Sequence, residues 1–373
     1  MKILIGADLV PTQSNFTFFA ENKMESIVSG DLLKILRLAD YRIFNLEVPL
    51  TDANTPIKKC GPNLSAPTNT IAGMKALGVD LFTLANNHIL DQGEQGLAST
   101  IQVLKDQHIR FSGVGKNLQE ASRPIIIENE NEKIGIYCCA EHEFSIATKN
   151  SAGANPFDPF ESFDHVQALK EKVDYVIVLY HGGKEHYRYP SIRLQRTCRK
   201  LVEKGADLVV CQHSHCVGCQ EIYQQGTIVY GQGNFLFDFI DNEYWKTSLL
   251  IQVDTSKKNK IEFIPLQKEG NGAKLAANEQ ILLDFFKRTE EIKEDGMIEK
   301  KYEAFAKEMR SYYLTTFHGH RSFVKKALNR ITKGKYYEHI AKKYKEEDLL
   351  AIKNYIECEA HQELLLAGLK KHE

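Results

Sequence analysis

Five apolar, strand-forming runs in this chain each lead into side chains that can bind a metal, and no other feature constrains the fold as strongly. The runs and their following side chains are 2–7 with Asp8, 41–46 with Glu47, 79–84 with Asn87 and His88, 173–180 with His181, and 207–211 with His213 and His215. In open α/β sheets, ligands bind outside the carboxyl ends of the strands. A single histidine after a strand is usually a packed side chain, but five such ends together predict a shared site.

Helical patterns alternate with these strands, which indicates an α/β fold. We predict helices at 30–38, 69–77, 94–106, 161–172 and 190–204, and further strands at 124–128, 133–139, 220–223, 227–230, 247–253 and 260–265. The alternation favours helices that cover the faces of sheets. The late strands, which have no helices between them, indicate a mixed sheet or a second sheet.

Beyond about residue 273 the sequence is charged, helix-forming and nearly free of strand signals. We therefore predict an α/β domain at 1–270 and a helical C-terminal subdomain at 271–373. The segment 321–345 is rich in lysine and arginine. Either it forms solvated helix surfaces, or it contacts a protein partner, an anionic ligand or a membrane surface.

The composition argues against several classes of protein. The 373 residues carry a formal net charge of −1, so no overall field favours nucleic acid. No stretch approaches the roughly 20 apolar residues of a transmembrane helix, and the first residues lack the pattern of a secretory signal. We therefore expect a cytoplasmic protein without a transmembrane segment, whose eight cysteines are free thiols.

The side chains at the strand ends form a mixed oxygen and nitrogen ligand set. Such a set suits divalent transition metals, namely manganese, zinc or iron. The two oxygens of Glu47 can bridge two cations, and the amide oxygen of Asn87 can fill a neutral position. Two metals about 3.5–4 Å apart hold the attacking and leaving oxygens of a displacement. The set therefore predicts hydrolytic chemistry.

Five segments resemble, in order, the motifs of the CapA capsule-synthesis (poly-γ-glutamate synthesis) family: IFNLEVPL, LFTLANNHILDQGEQGLAST, VIVLYHGGKEHYRYP, GADLVVCQHSHCVGCQEIY and IVYGQGNFLFD. That family is a branch of the calcineurin-like metallophosphatase superfamily. The resemblance, over roughly residues 1–265, implies a metallophosphatase-like layered sandwich of two mostly mixed β-sheets flanked by helices. It also implies a metal-dependent hydrolase that acts on a phosphoester or a related bond of an anionic small molecule or polymer.

The same resemblance implies a role for each strand-end residue. The implied metal ligands are Asp8, Glu47, Asn87, His181, His213 and His215. His88 is similar to the imidazole that serves as general acid or charge stabiliser. Asp91 either orients His88 or caps the helix that begins near residue 93.

The chain departs from the superfamily at the first motif, which is Asp-x-His there, whereas Leu9 and Val10 follow Asp8 here. Glu47 also stands where the superfamily has an aspartate. One metal position keeps Glu47, Asn87, His181 and His213, and the other has only Asp8, Glu47 and His215. We therefore predict one tight and one weaker metal, with Gln13 or a water filling the gap.

Several side chains near these motifs are candidates for substrate binding, and each is also interpretable as ordinary surface polarity. They are Lys58, Lys59, Glu185, Arg188 and Asn234. Two rival hypotheses stay open. The first is a weakly catalytic or non-catalytic metal-binding accessory protein of capsule polymer synthesis or export. The second is a structural zinc module within residues 211–219, although the spacing there is compressed for a closed tetrahedral site.

Overall fold

The structure is a computed structural model that describes residues 1–257, 260–318, 322–358, 360–362, 365 and 369. The strands in chain order are β1 (Lys2–Val10), β2 (Tyr41–Leu46), β3 (Leu81–Thr83), β4 (Arg110–Ser112), β5 (Val114–Gly115), β6 (Ile125–Glu128), β7 (Lys133–Ala140), β8 (Gly153–Ala154), β9 (Tyr175–His181), β10 (Leu208–Gln212), β11 (Gln220–Tyr223), β12 (Gly226–Tyr230), β13 (Asn234–Phe237), β14 (Thr247–Asp254), β15 (Lys260–Glu269) and β16 (Gly272–Leu275).

The helices lie between and after these strands. In chain order they are α1 (Phe16–Ala20), α2 (Gly30–Leu38), α3 (Ile71–Ala76), α4 (Gly93–Asp106), α5 (Leu118–Ala121), α6 (Ser162–Lys170), α7 (Ile192–Glu203), α8 (Gln280–Glu291), α9 (Met297–Phe317), α10 (Phe323–Ile331), α11 (Lys335–Ala341) and α12 (Glu346–Glu357). Short 3-10 helices occupy Met24–Ser26, Thr68–Thr70, Glu243–Lys246 and Thr255–Lys257.

Two large mixed sheets form the framework. The first has the order β16-β15-β14-β1-β2-β3-β4, with β13 also paired to β1, and the second has the order β11-β12-β10-β9-β7-β6. In the first sheet β1 to β4 are parallel, whereas β14, β15 and β16 are antiparallel. In the second, β7, β9, β10 and β12 are parallel, and β6 and β11 are antiparallel. The predicted sandwich of two mixed sheets flanked by helices is confirmed.

Alternating side chains of the central strands explain the layers, because successive residues of a strand point to opposite faces. Ile3 and Ile5 belong to the core between the two sheets, together with Ile177 of β9. Leu4 instead belongs to the core that includes residues of α2, α3 and α4. Val178 of β9 belongs to the core on the far side of the second sheet. Both strands are buried on both faces, which accounts for their unbroken apolar sequence.

The first compact unit extends further than the predicted boundary at residue 270. Contacts divide the chain into one unit at Met1–Ile298 and a second at Glu299–Glu373. The reason is that β16 adds a strand to the first sheet beside β15, and α8 then places Phe285 in the core between the sheets. Phe285 is fully buried, and its ring lies 4.8 Å from that of Phe263. The described part of the second unit is helical.

Most predicted elements are present, with shifted ends. The strand predicted at 79–84 contains only Leu81–Thr83, whereas the strand predicted at 2–7 continues to Val10. The short strand Asn234–Phe237 was not predicted, although it brings Asn234 beside Asp8. All eight cysteines are free thiols in the structure. Among the described residues, no helix is both long enough and apolar enough to cross a membrane.

Candidate metal centre

The strand ends converge on one buried cluster of acids and imidazoles. Two overlapping groups, Glu47–His181–His213 and Asp8–Glu47–His215, each have donor atoms that all lie within 4.8 Å of one another. Every member is buried, and Glu47 belongs to both groups. Side chains from four separate parts of the chain thus meet where the strands of the two sheets finish.

A break in strand pairing lies at Asp8. The register between β1 and β2 shifts between Ile5 and Asp8, and the register between β1 and β13 shifts between Asp8 and Leu9. Such irregularities bend a strand and re-aim a side chain. Asp8 therefore lies within its strand, not after it, and yet belongs to the cluster.

His181 is the centre of the first group. Its Nε2 lies 3.3 Å from Oε1 of Glu47, 3.0 Å from Oδ1 of Asn87 and 3.2 Å from Nδ1 of His213. The amide nitrogen of Asn87 also has a partner, because its Nδ2 donates a hydrogen bond to Glu143 at 2.8 Å. That hydrogen bond directs the amide oxygen of Asn87 towards His181, so the group offers three or four donors around one point.

The second group offers fewer metal-binding donors than the first. Nδ1 of His215 lies 3.4 Å from Oδ2 of Asp8 and 2.9 Å from Oδ1 of Asn234. Val10, where the resembling superfamily has an imidazole, is a buried apolar side chain. Gln13, the predicted substitute, is exposed and lines a surface cavity of about 630 Å³ that also includes Val10. Asn234, which was predicted as a substrate contact, lies within hydrogen-bond distance of His215 in this group.

The charges of the cluster fit a bound cation. Both carboxylate oxygens of Glu47 and Oδ2 of Asp8 are buried without a hydrogen-bond partner. Burying such oxygens is unfavourable unless a positive charge compensates them. Burial, and then the neighbouring charge of Asp8, raise the pKa of Glu47 to about 8. A divalent metal would remove this conflict, and the donor types are those that transition metals prefer.

The two histidines of the first group favour the neutral form that binds metals. Burial lowers the pKa of His181 to about 4, and burial together with His181 lowers the pKa of His213 well below its ordinary value. His215 behaves differently, because Glu47 and Asp8 outweigh the effect of burial and raise its pKa to about 9. A protonated His215 would pair with Asp8, whose Oδ2 lies 3.4 Å from its Nδ1.

The paired histidines have an unusual backbone. His213 and His215 have φ angles of +81° and +54°. Residues other than glycine rarely adopt this left-handed region, and such strain persists where the surrounding structure fixes it, often at functional sites. The turn that carries Ser214 between them is held by a hydrogen bond from the backbone N–H of His186 to the Ser214 carbonyl, at 2.9 Å.

A buried network of amides, which the sequence reading missed, supports the ligands. Asn45 donates to Oδ1 of Asp8 at 2.8 Å, and its Nδ2 lies 3.2 Å from Nδ1 of His181. Asn86 in turn donates to Asn45 at 3.1 Å and to the Leu46 carbonyl at 2.9 Å. The available signal was an asparagine inside an otherwise apolar strand, IFNLE, which is costly to bury without partners.

His88 lies beside the metal groups and is held by Asp91. Nδ1 of His88 is 2.6 Å from Oδ2 of Asp91, which also accepts the backbone N–H of Leu64 at 2.6 Å. Of the two alternatives for Asp91, the structure places it on His88. The helix cap falls instead on Gln92, which makes no capping hydrogen bond.

Lys59 differs from its prediction as an exposed substrate contact. Its ammonium forms an ion pair with Oδ1 of Asp91 and lies 3.3 Å from Nδ1 of His88. The Lys59 side chain is only 2% exposed, and its ammonium lies 5.0 Å from the centre of the Phe144 ring. Its position is determined by burial of the long loop after β2, which no local pattern reveals. The adjacent Lys58 is exposed, and its contact with a substrate stays a prediction.

The remaining substrate candidates lie at the rim. Glu185 is an exposed residue whose carboxyl is partly buried. Burial acts to raise the pKa of that carboxyl. The nearby His213 and His215 outweigh burial, so the pKa of Glu185 lies below its ordinary value. Arg188 donates to the Val217 carbonyl at 3.0 Å and lies over the ring of Tyr244. Those contacts occupy much of its guanidinium, so Arg188 also supports the structure of the rim.

An aromatic wall borders the second group. The ring of Trp245 lies 4.7 Å from that of His215, and its indole N–H donates to Nε2 of His186 at 2.9 Å. His186 also stacks on Tyr244 at 5.3 Å. None of these aromatic contacts was predicted, because Trp245 is distant in sequence from every histidine of the cluster.

The cysteines among the paired histidines do not join a metal site. Neither of the two groups found among the described residues contains a cysteine. Burial raises the pKa of Cys219 and of Cys216, which disfavours the thiolate that binds zinc. The structural zinc module is therefore not supported.

Comparison with known proteins gives a family match. The model of the bacterial capsule synthesis protein PGA_cap matches residues 7–239. The capsule biosynthesis protein CapA of Bacillus anthracis is 31% identical over 214 residues, 54% of this chain and 52% of that protein. The PGA biosynthesis protein CapA of Bacillus subtilis (strain 168) is 30% identical over 210 residues, 55% of each chain. The matched region thus spans about half the length of these curated relatives.

A more distant relative and a solved structure complete the comparison. A probable polyglutamine synthesis accessory protein of Mycobacterium tuberculosis is 28% identical over 226 residues, 56% of this chain and 59% of that protein. A crystal structure of a novel phosphatase from Mycoplasma pneumoniae is 16% identical with a TM-score of 0.45, and the alignment covers 77% of this chain and 98% of that one.

Proposed function

The chain belongs to the bacterial capsule synthesis protein PGA_cap family, and from this premise we propose that it is a metal-dependent hydrolase of capsule or poly-γ-glutamate synthesis. The proposed reaction is hydrolysis of a phosphoester or a related bond in an anionic small molecule or polymer. We further propose a cytoplasmic location, which fractionation of cells that contain the tagged full chain would test.

The observation that carries this proposal is the pair of buried carboxylate oxygens on Glu47, neither of which accepts a hydrogen bond. Oε1 lies 3.3 Å from Nε2 of His181, and Glu47 also offers a donor atom within 4.8 Å of one from His215. A protein that needed only a stable core would gain by replacing such a charge with an apolar side chain. Retaining it at the junction of two donor groups supports a shared cation site.

The two groups are proposed to bind metal with different strength. Glu47, Asn87, His181 and His213 would hold the tight ion, whereas Asp8, Glu47 and His215 would hold the weaker one, beside Asn234. Manganese, zinc or iron suits these donors. When bound, such ions supply Lewis-acid polarisation of the substrate and a water activated for attack near neutral pH.

His88 is proposed to assist the transfer of a proton or the stabilisation of charge. Its Nδ1 is engaged by Asp91, so Nε2 is the nitrogen that is available to a substrate. Asp91 holds the ring, and the hydrogen bond from the backbone N–H of His88 to Asn86 holds the main chain at this position. A preoriented imidazole is the usual requirement for general acid catalysis.

Metal content and turnover test the proposal together. The full chain is stripped, reconstituted with manganese or zinc, and assayed for bound metal by mass spectrometry and for hydrolysis of p-nitrophenyl phosphate and its diester. We expect His213→Ala to lose the tight ion and activity, and Glu47→Gln to lose both ions. The exposed His142→Ala is the matched control. The proposal fails if the loaded protein hydrolyses neither ester and His213→Ala behaves identically.

A second candidate function has one specific observation in its favour. Val10 replaces a donor beside Asp8 with a buried methyl pair, which weakens one metal position. The alternative is a metal-binding accessory protein with little or no catalysis, in line with the name of the mycobacterial relative, a probable polyglutamine synthesis accessory protein. Two bound metals per chain together with turnover favour hydrolysis, whereas bound metal without turnover of either ester favours the accessory role.

A further inference from the structure

One helix of the second unit exposes nearly all of its apolar surface. Helix α10 contains no buried residue. The exposed fractions are 86% for Phe323, 73% for Val324, 41% for Leu328 and 77% for Ile331. Large apolar side chains exposed together on one element usually mark a surface that binds something.

These apolar residues share one side of the helix. At 100° per residue, Phe323, Val324, Ala327, Leu328 and Ile331 fall within an arc of about 140°. Lys325 and Lys326 lie outside this arc, and Arg330 borders it, about 20° from Phe323. Two local features define the helix: the Ser322 hydroxyl accepts the backbone N–H of Lys325 at its start, and Gly334, with a φ of +90°, follows its end.

The surroundings of this helix are strongly cationic. Residues 322–337 contain no Asp or Glu, and their basic residues are Lys325, Lys326, Arg330, Lys333 and Lys335. None of the five forms an ion pair with another residue in the part of the chain that the structure describes. Their charge is therefore available to an anionic surface.

We propose that α10 binds the surface of a membrane that contains anionic lipids. A helix with one apolar side and a lysine- and arginine-rich polar side lies in the plane of the interface, with the apolar side among the acyl chains and the cations at the headgroups. This surface does not depend on the metal centre, so the proposal stands apart from the proposed hydrolysis.

A membrane fits this helix better than a helical protein partner does. Nine residues span about 14 Å, which is too short for the three or four heptads of a coiled coil. A flat lipid interface requires only a short helix, and the cations that flank the apolar side match anionic headgroups. Phe323 and Ile331, at the two ends, are also the most exposed apolar residues of the helix.

Co-sedimentation with lipid vesicles tests this proposal. The full chain is mixed with vesicles of phosphatidylcholine alone or of equimolar phosphatidylglycerol and phosphatidylcholine, at low and high salt. We expect binding only to the anionic vesicles, reduced by high salt. Phe323→Ser with Ile331→Ser should weaken binding by at least about tenfold, because each removes a large apolar contact with the acyl chains. Lys326→Gln with Arg330→Gln should weaken it by roughly fivefold for each charge.

Phe160→Ser is the matched control, because Phe160 lies in the first unit and is 86% exposed, as Phe323 is. It should bind vesicles as the unchanged chain does. Circular dichroism should be the same for all variants, since the substituted side chains are exposed. Wild-type protein that stays in solution with anionic vesicles overturns the proposal. So does unchanged vesicle binding by the Phe323 and Ile331 variant, or a surface that proves to bind only a protein or a second copy of the chain.

Discussion

Lys59 and Asp91 form an ion pair in which both side chains are buried, with exposed fractions of 2% and 0%. The pair connects the long loop after β2 to the residue that orients His88. Asp91 also accepts the backbone N–H of Leu64, at the far end of the same loop. One carboxylate therefore fixes both the loop and the candidate acid of the site.

Replacement of Lys59 by methionine should destabilise the first unit. The substitution keeps the length of the side chain but leaves Oδ1 of Asp91 buried without a partner. Breaking a buried pair by removing one member costs about 3 kcal/mol or more. Urea unfolding of the metal-free protein, followed by circular dichroism, measures the difference.

Lys58→Met is the control for that experiment, because Lys58 is the neighbouring residue and is exposed. Its effect should stay within about 0.5 kcal/mol, as for most surface substitutions. Equal losses for the two variants would show that the Lys59 ion pair does not stabilise the fold.

The sequence predicts the convergence of the site because strand order and strand polarity decide it. Parallel strands finish at a common edge of the sheet. Correct assignment of the strands was therefore enough to predict that Glu47, His181 and the paired histidines lie together. The same periodic signal predicts the two faces of β1, where Ile3 and Leu4 point into different cores.

Features that depend on distant neighbours were beyond the sequence. The burial of Lys59 requires knowledge of the path of a loop, and the supporting role of Asn45 requires knowledge of which strands pair. The boundary after Ile298 depends on the packing of α8 against the sheet, which the charged sequence of α8 does not predict. Local patterns describe elements, whereas these features arise from contacts between elements.

Asn45→Ala should weaken metal binding without removing a ligand. Asn45 holds Asp8 through one hydrogen bond and lies beside His181, so its loss frees two ligands to rotate. Loss of such an orienting partner typically costs about 10–100-fold in metal affinity. Competition with a chelating dye gives the dissociation constant.

Asn54→Ala, an exposed residue of the following loop, should leave that dissociation constant unchanged. The role assigned to Asn45 is wrong if its variant binds zinc as tightly as the unchanged protein and also unfolds at the same urea concentration.

The metal-free protein should lose stability as the pH rises from about 4.5 to about 8. Burial and the charge of Asp8 raise the pKa of Glu47 from 4.5 to about 8 in the folded chain. Below pH 4.5 Glu47 is protonated in both states, so its contribution is complete. Above that value the unfolded chain ionises first, and stability falls until the folded group ionises as well, by an amount on the order of a few kcal/mol.

Glu47→Gln should flatten this part of the pH profile, measured by urea unfolding in the presence of a chelator. His215, whose pKa is raised to about 9, adds a loss in the same direction at higher pH. The exposed Glu130→Gln is the control and should keep the original profile. A Glu47→Gln profile as steep as that of the unchanged protein would contradict the assignment of this pH dependence to Glu47.

Trp245 should report metal binding at the weaker position. It is the only tryptophan of the chain, and its ring lies 4.7 Å from that of His215, one of the proposed ligands. Cobalt has an unfilled d shell that quenches a nearby excited indole, whereas zinc has a filled shell and does not quench by this route. Cobalt titration should therefore quench the fluorescence mainly as the Asp8–Glu47–His215 group fills, after the tighter group.

His215→Ala should lose this quenching, and His213→Ala should retain it, because His213 belongs only to the other group. Free N-acetyltryptophanamide at the same cobalt concentrations measures collisional quenching. If His215→Ala is quenched as strongly as the unchanged protein, cobalt does not bind beside Trp245, and the proposed second metal position is wrong.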